Sequence, residues 1–440
     1  MLLKQRKLFA LSLLVCLLYI FYVLSLTYWY KPTSGKILDF EREQSIRELL
    51  HRSCKASEAR RTRVWQMLKH WKVKFSGDRI GVLLCIPFKP NHYYTLQFLT
   101  FLYASWKVMN EHAVEVHAIY GTQSNFNKVD LLVFCEPPSC YDLPDDCVEW
   151  TPDTPEIKNI PFCYFISTKG FNLEYANVNS YCYVKTTAFA QLTTRYRYLL
   201  RTDVDVFLSP AMLLWKTDQP IVTGLGGYCV PFNMRRLMTM ATRYGLRHQG
   251  VHCLGSTWFG ESQLISSLSN ITIALTMTIF ENEFDPVRHP DIAEFMRQSP
   301  HGDWPSWWRP VSTMYAQELA LNHMVDDLSK SHIKRDLIDV ESCRRTSILL
   351  HPHIHTWHSD CEFSKFTFLD PLVFNVSIEE KFIIDLQYIR PTLISCFSVA
   401  DYCTYVAKNA LARYTKELGK LSSLFSKHKK APQPHSISVV

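Results

Sequence analysis

Two carboxylates one residue apart, Asp203-Val204-Asp205, are the groups in this sequence best suited to hold a divalent cation. They interrupt the run RYLLRTDVDVFLSP at 197–210: Tyr198, Leu199 and Leu200 lead in, Val206, Phe207 and Leu208 follow, and Ser209-Pro210 ends it. Such a run reads as a short buried strand. On extended backbone, side chains at i and i+2 project to one side, so the pair presents hard oxygen ligands together. Chance supplies about one Asp-x-Asp in a chain with 21 aspartates, so the apolar flanks carry the inference. Burying two unpaired carboxylates there would cost several kcal/mol each. Aspartates capping a turn are the alternative.

A second concentration of ligands lies at 348–368, ILLHPHIHTWHSDCEFSKFTF. His351, His353 and His355 alternate along a strand-like run, and His358 follows. Neutral imidazole binds transition metals, and Lys365, seven residues past His358, can meet a phosphate as a point charge. Three uses are open. One histidine completes the coordination begun by Asp203 and Asp205. Alternatively, His353-x-His355-x-x-His358 is a zinc hydrolase site of the HxHxDH kind, although Trp357 stands where that pattern needs an Asp. Or these are core histidines bonded to backbone carbonyls.

The elements that must position these groups form an α/β pattern. RIGVLLCIP at 79–87 is a continuous apolar run closed by proline, as in a buried parallel strand. A helix over 93–109 and strands over 114–120 and 129–135 follow, the start of a doubly wound sheet. Ligands in such sheets bind outside the carboxyl ends of strands, where the Pro87 and Asp203 loops fall. Residues 136–162, with Cys135, Cys140, Cys147 and Cys163, read as a disulfide-pinned loop. Next come a helix over 177–195 and strands over 221–230 and 251–260. Gly226, Gly227 and Gly255 in those strands either let backbone approach a ligand or occupy bulges. Helices over 261–280 and 312–325 bracket WPSWWR at 304–309, whose aromatics suit either sugar stacking or a hydrophobic plug. A last helix starts at Ala400.

Charge and cysteine usage narrow the setting. The formal charge is +7, but residues 36–74 contribute +6, 413–430 about +5, and Lys4, Arg6, Lys7 and Lys31 four more. The body over 75–412 is therefore near −8, which argues against nucleic acid as a partner. Fourteen cysteines without a Cys-x-x-Cys pair favour disulfides in an oxidising lumen over a zinc ribbon. Thirteen lie outside the apolar N-terminal run, so at least one stays free or pairs between chains. That run, residues 8–30, is uncharged and long enough to span a bilayer, with basic residues before it and Tyr28-Trp29-Tyr30 closing it. It reads as a type II signal anchor, and no later segment reads as long and apolar enough to span. The expected organisation is a cytoplasmic tail 1–7, an anchor 8–30, a stem 31–75 that could equally begin the body, a body 76–412 and a basic tail 413–440.

In the type II anchor, the strand at 79–87, Asp203-Val204-Asp205 and a C-terminal His and Lys, the chain resembles the lumenal GT-A (nucleotide-diphospho-sugar transferase) glycosyltransferases. Residues 304–323 and 353–368 resemble a eukaryotic branch of that class. The resemblance covers 79–375 and implies a GT-A-like mixed sheet flanked by helices, acting in the Golgi on a nucleotide-sugar donor and a glycan or glycoprotein acceptor. It implies that Asp203 and Asp205 face the ribose and a Mn²⁺ or Mg²⁺ on the diphosphate. His358 matches the third metal ligand, with His355 in reserve, and Lys365 the lysine that follows it. Pro87, Arg201, Gly226 and Gly227 would line the donor. An inverting enzyme also needs a carboxylate to deprotonate the acceptor, for which Glu261 and then Glu318 are the candidates. A lumenal binding or scaffold protein that kept this fold without the chemistry is the rival from another class.

Overall fold

Seven consecutive buried residues, Ile80 to Ile86, make the central strand, and their alternation decides the architecture. Ile80, Val82, Leu84 and Ile86 enter one hydrophobic core with Phe101, Met109, Tyr402 and Val406. Leu83 and Cys85 enter a second core with Tyr183, Ile265, Leu268 and Leu321. Side chains of a strand alternate between faces, so the sheet is covered on both. The computed structural model describes residues 48–70, 73, 75–89, 92–121, 125–155, 160–171, 176–297, 299–356, 361, 363–366, 368–369 and 392–413.

The strands are β1 (Arg79–Ile86), β2 (Lys128–Cys135), β3 (Cys147–Glu149), β4 (Cys163–Ser167), β5 (Tyr198–Arg201), β6 (Val206–Leu208), β7 (Ile221–Leu225), β8 (Leu254–Glu261), β9 (Val340–Glu341) and β10 (His353–His355). Seven form a mixed sheet in the order β3-β4-β2-β1-β5-β8-β7. Its first five are mutually parallel, and β8 runs antiparallel to both β5 and β7. A smaller sheet, β6-β10-β9, stands beside the end of β5. The main helices are α1 (Glu58–Leu68), α2 (Ala104–Glu111), α3 (Ala113–Tyr120), α4 (Thr187–Thr193), α5 (Pro231–Arg243), α6 (Ser262–Asn282), α7 (Ser312–Met324) and α8 (Val399–Arg413).

Residues 114–120, expected as a strand, are the helix α3. Its V-x-V alternation is misleading because the helix is apolar on opposite sides: Ala113 and Val116 face the first core, while Val114 and Ala118 pack with Leu50, Val64, Trp65, Leu68 and Leu393. The one acid inside it, Glu115, is fully buried. Its carboxylate accepts from the backbone N–H groups of Ile394 (3.2 Å) and Ser395 (2.9 Å) and meets His112 Nδ1 at 2.5 Å. Glu115→Ala should therefore lower the unfolding free energy by about 1–3 kcal/mol for each donor left unpartnered, with Glu115→Gln milder. Denaturant titration of the pair checks this.

Of the two readings given for 31–75, the same packing favours the second for residues 48–68, which lie on the body: Trp65 stacks on His112 with centroids 3.9 Å apart, and Cys54 is disulfide-bonded to Cys396. Residues 1–47, with the anchor run, and 414–440 lie outside the described residues. Contrary to the expectation that no later segment could span, α6 has the length and composition to cross a membrane. Here it packs along α7 and buries Ile265, Leu268, Thr272, Thr276 and Ile279. The loop after β2 is pinned as expected, by Cys135–Cys140 and Cys147–Cys163, and it also carries β3. Cys229–Cys253 and Cys343–Cys361 complete five pairs among the described residues, while Cys85, Cys182 and Cys403 are free and buried.

Candidate functional site

β5 stops at Arg201, and the chain turns through Asp203-Val204-Asp205 before β6 begins, so the acids sit at a carboxyl strand end in a turn. β6 pairs antiparallel with β10 in a register that sets His355 opposite Val206, beside Asp205. His355 Nε2 stands 3.4 Å from Asp205 Oδ1. The ligand atoms of Asp203, Asp205 and His355 all lie within 4.8 Å of one another. Thr356 holds the Asp205 carbonyl with its N–H (3.1 Å) and hydroxyl (2.6 Å). Lys365 Nζ reaches Asp205 Oδ2 at 2.5 Å.

A residue missed in the sequence completes the arrangement. Asp339, immediately before β9, places Oδ1 3.4 Å from His355 Nδ1 and accepts from Thr257 Oγ1 at 2.6 Å. A carboxylate behind one imidazole nitrogen orients the other, here Nε2 toward Asp205. The signal was an acid inside Leu337-Ile338-Asp339-Val340, the feature that marked Asp203. Burial opposes a charge on His355, but Asp205 and Asp339 outweigh it and lift the imidazole to about 10. Burial likewise opposes ionisation of Asp205, yet Lys365 and His355 hold it well below the carboxylate range. Asp339 is also lowered, against burial, by His355, His353 and Thr257.

The other histidines divide by their partners. The Asp339 N–H donates to His353 Nδ1 (3.1 Å), so Nε2–H donates to Thr202 Oγ1 (2.8 Å) and neither nitrogen is free for an ion. His351 is engaged at both nitrogens too, in the other tautomer: Nδ1–H donates to the Asp336 carbonyl and Nε2 accepts from Thr346 Oγ1, both 2.6 Å. The His353-x-His355-x-x-His358 set thus loses a member. His358 lies outside the described residues, and among those described the histidine that joins the acids is His355.

These two neighbours titrate in opposite senses in the metal-free protein. Burial, only partly offset by Asp339, lowers His353 to about 4. Between there and 6.5 the unfolded chain binds a proton that the folded one refuses, so this stabilisation is lost as pH falls from about 6.5 to 4. The swing is on the order of 3 kcal/mol. The raised His355 contributes stability that is lost as pH climbs from about 6.5 through 10. Unfolding free energy measured across pH should peak between these limbs, and His353→Gln should flatten the acid one.

Around this centre the remaining candidates find different places. Arg201 is buried: it donates to the Ser256 carbonyl and Ser180 Oγ, both 2.6 Å, lies over the Tyr181 ring and sits 3.3 Å from Asp203 Oδ1. Its two terminal nitrogens are bonded to protein, and the Asp203 it faces is also contacted by Ser256 Oγ at 3.3 Å. Pro87 ends β1, and the helical turn beyond it carries Tyr94. Burial, then the charges of Asp205 and Asp203, push the Tyr94 hydroxyl above its usual range, which puts it within electrostatic reach of the acids. A Cβ on Gly226 would strike the Tyr228 ring and the Leu254 carbonyl, and one on Gly255 the Gly224 backbone. Both are small for packing against protein, while Gly227 lies beneath Trp304. Of the WPSWWR aromatics, Trp307 is a plug stacked between Phe284 and Tyr315, and Trp304 is exposed.

The two carboxylates offered as bases separate. Glu261 pairs with Tyr198 at the start of β5, three residues from Arg201 and so roughly 10 Å from the site end of the strand. That position removes it from the acceptor role. Glu318, on α7, is fully buried with both oxygens engaged. Oε2 accepts from Tyr228 OH (2.7 Å) and Cys253 N (2.9 Å), while Oε1 meets His252 Nδ1 at 2.7 Å and His248 Nε2 at 3.4 Å.

Compared with known proteins, residues 74–420 match a family described as a domain of unknown function, DUF7164. No curated protein matches the chain.

Proposed function

Since the chain belongs to the DUF7164 family, whose description names no activity, we propose a function from its site: metal-dependent transfer of a sugar from a nucleotide-diphospho-sugar to a glycan or protein acceptor. The observation that carries this is the convergence of Asp203, Asp205, His355, Asp339 and Lys365, drawn from three separate stretches of chain, on one carboxyl strand end. A mixed sheet with antiparallel β8 beside parallel β5 supports a GT-A-like fold. Two carboxylate oxygens and one imidazole nitrogen fit Mn²⁺ or Mg²⁺. Asp203, Asp205 and His355 would hold the ion, which when bound supplies Lewis-acid stabilisation of the leaving diphosphate.

The chain's own residues do the rest. Asp339 keeps Nε2 of His355 turned toward the acids. Arg201 and Ser256 set Asp203, and Thr356 sets the Asp205 backbone. Lys365, eight per cent exposed, is a positive charge already at the site where a diphosphate would arrive. Five disulfides and the uncharged run at 8–30 support a Golgi address as a single-pass type II protein with this body in the lumen.

Thermal unfolding of the full chain with UDP or GDP, each with and without Mn²⁺, tests the reading. A ligand at 100 times its Kd stabilises by about 2.7 kcal/mol, so a rise in Tm is expected only when nucleotide and metal are both present. No shift with either nucleotide in Mn²⁺ would rule the function out.

A further inference from the structure

Resting on that reading, we infer that His252 is the general base for the acceptor hydroxyl and that Glu318 is the residue that positions it. His252 Nδ1 lies 2.7 Å from Glu318 Oε1, and Tyr228 OH and the Cys253 N–H hold the other oxygen of that fully buried carboxylate. An imidazole so anchored keeps its proton on Nδ1 and presents the Nε2 lone pair, the arrangement that orients a histidine base. The Cys229–Cys253 disulfide ties the segment beside His252 to the chain next to Tyr228.

The position suits the task. β8 runs antiparallel to β5, so the residues before Leu254 lie at the carboxyl end of β5, where the acids are. Ser256 touches Asp203, and His252 is four residues away, at most roughly 13 Å along extended backbone.

His248, His252 and Glu318 also have the composition of a metal site, with ligand atoms within 4.8 Å. His248 decides against it. The Gly250 N–H donates to His248 Nδ1 at 3.1 Å, so the neutral ring carries its proton on Nε2, facing Glu318, and has no lone pair to offer there.

In the step, the acceptor O–H bond breaks and its proton passes to His252 Nε2. The oxygen forms a bond to the anomeric carbon on the face opposite the leaving group. The carbon–oxygen bond to the diphosphate breaks, and its electron pair leaves with the nucleoside diphosphate. Glu318 stabilises the imidazolium, and the configuration inverts.

The test measures donor cleavage by the full chain across UDP-glucose, UDP-galactose, UDP-N-acetylglucosamine and GDP-mannose in Mn²⁺, with UDP and GDP binding followed by calorimetry. For His252→Ala and His252→Gln, nucleotide affinity should stay within about twofold while turnover falls on the order of 10²–10⁴-fold. Azide, a nucleophile that needs no deprotonation, should restore donor cleavage in His252→Ala. Glu318→Gln should lose turnover with unchanged nucleotide affinity. Wild-type turnover in His252→Ala, or a loss matched by lost nucleotide binding and not rescued by azide, overturns the base while leaving sugar transfer intact. Stoichiometric metal that leaves on His252→Ala overturns it in favour of an ion site. A wild-type chain that neither binds nucleotide nor cleaves any donor overturns the transfer reading and the base with it.

Discussion

Asp205→Ala should abolish Mn²⁺-dependent nucleotide binding and also destabilise the fold by about 3–5 kcal/mol, whereas Asp203→Ala should abolish the binding at a smaller cost. The difference follows from what each carboxylate leaves behind. Asp205 neutralises two cations, Lys365 and His355, whose side chains are 10% and 17% exposed. Removing it strands Lys365 in a buried site and leaves His355 to Asp339. Asp203, 32% exposed, touches Arg201 and Ser256. Without it, Arg201 keeps the Ser256 carbonyl, Ser180 and the Tyr181 ring, so the loss should be about 1–2 kcal/mol. Denaturant unfolding alongside calorimetric titration of UDP in Mn²⁺ separates the effects. Equal stability of the two variants would contradict the view that Asp205 anchors buried positive charge.

Asp339→Asn is expected to weaken metal binding 10–100-fold with the fold retained, because outer carboxylates of this kind fix the ligating imidazole and raise its basicity. The same result should come from a residue that touches no ligand. A Cβ on Gly224 would overlap the Asp339 carboxylate, with its Cγ only 2.7 Å away. Gly224→Ala should therefore push that carboxylate off His355. Asp339 itself has φ of 56°, a left-handed backbone that its neighbours hold. Mn²⁺ titration of both variants decides the matter: if Gly224→Ala binds like wild type, Asp339 is not the support proposed.

How much of this was legible depended on whether the signal was local. The strands β1 and β2 and the helices α6 and α7 announce themselves in apolar runs or helical periodicity, and the acids at 203 and 205 in their apolar flanks. The alternating histidines could not be ranked by pattern: the strand read from residue 348 is a 3-10 turn over Ile348–Leu350 that His351 ends, and only 353 and 355 share a face, that of β10. What separates them is the β6–β10 register, which puts His355 and not His353 next to Asp205. Helix α3 was misread because a helix buried on opposite sides can imitate alternation. Asp339 carried the right local signal but no spacing to pair it with the other acids, and only the parallel pairing of β9 with β10 joins them. Glu318 stood out as an acid on a helix, yet its part depends on His252, 66 residues earlier and brought close by the fold.

The bond between Cys54 and Cys396 spans 342 residues and makes nearly the whole body a covalent ring. A single proteolytic cut anywhere inside that ring yields an opened circle, not two pieces. Such a nicked protein would migrate as one species until it was reduced, and its halves could not drift apart while they refold. Surface loops between β-strands and helices can thus be severed without dispersing the residues gathered at Asp205.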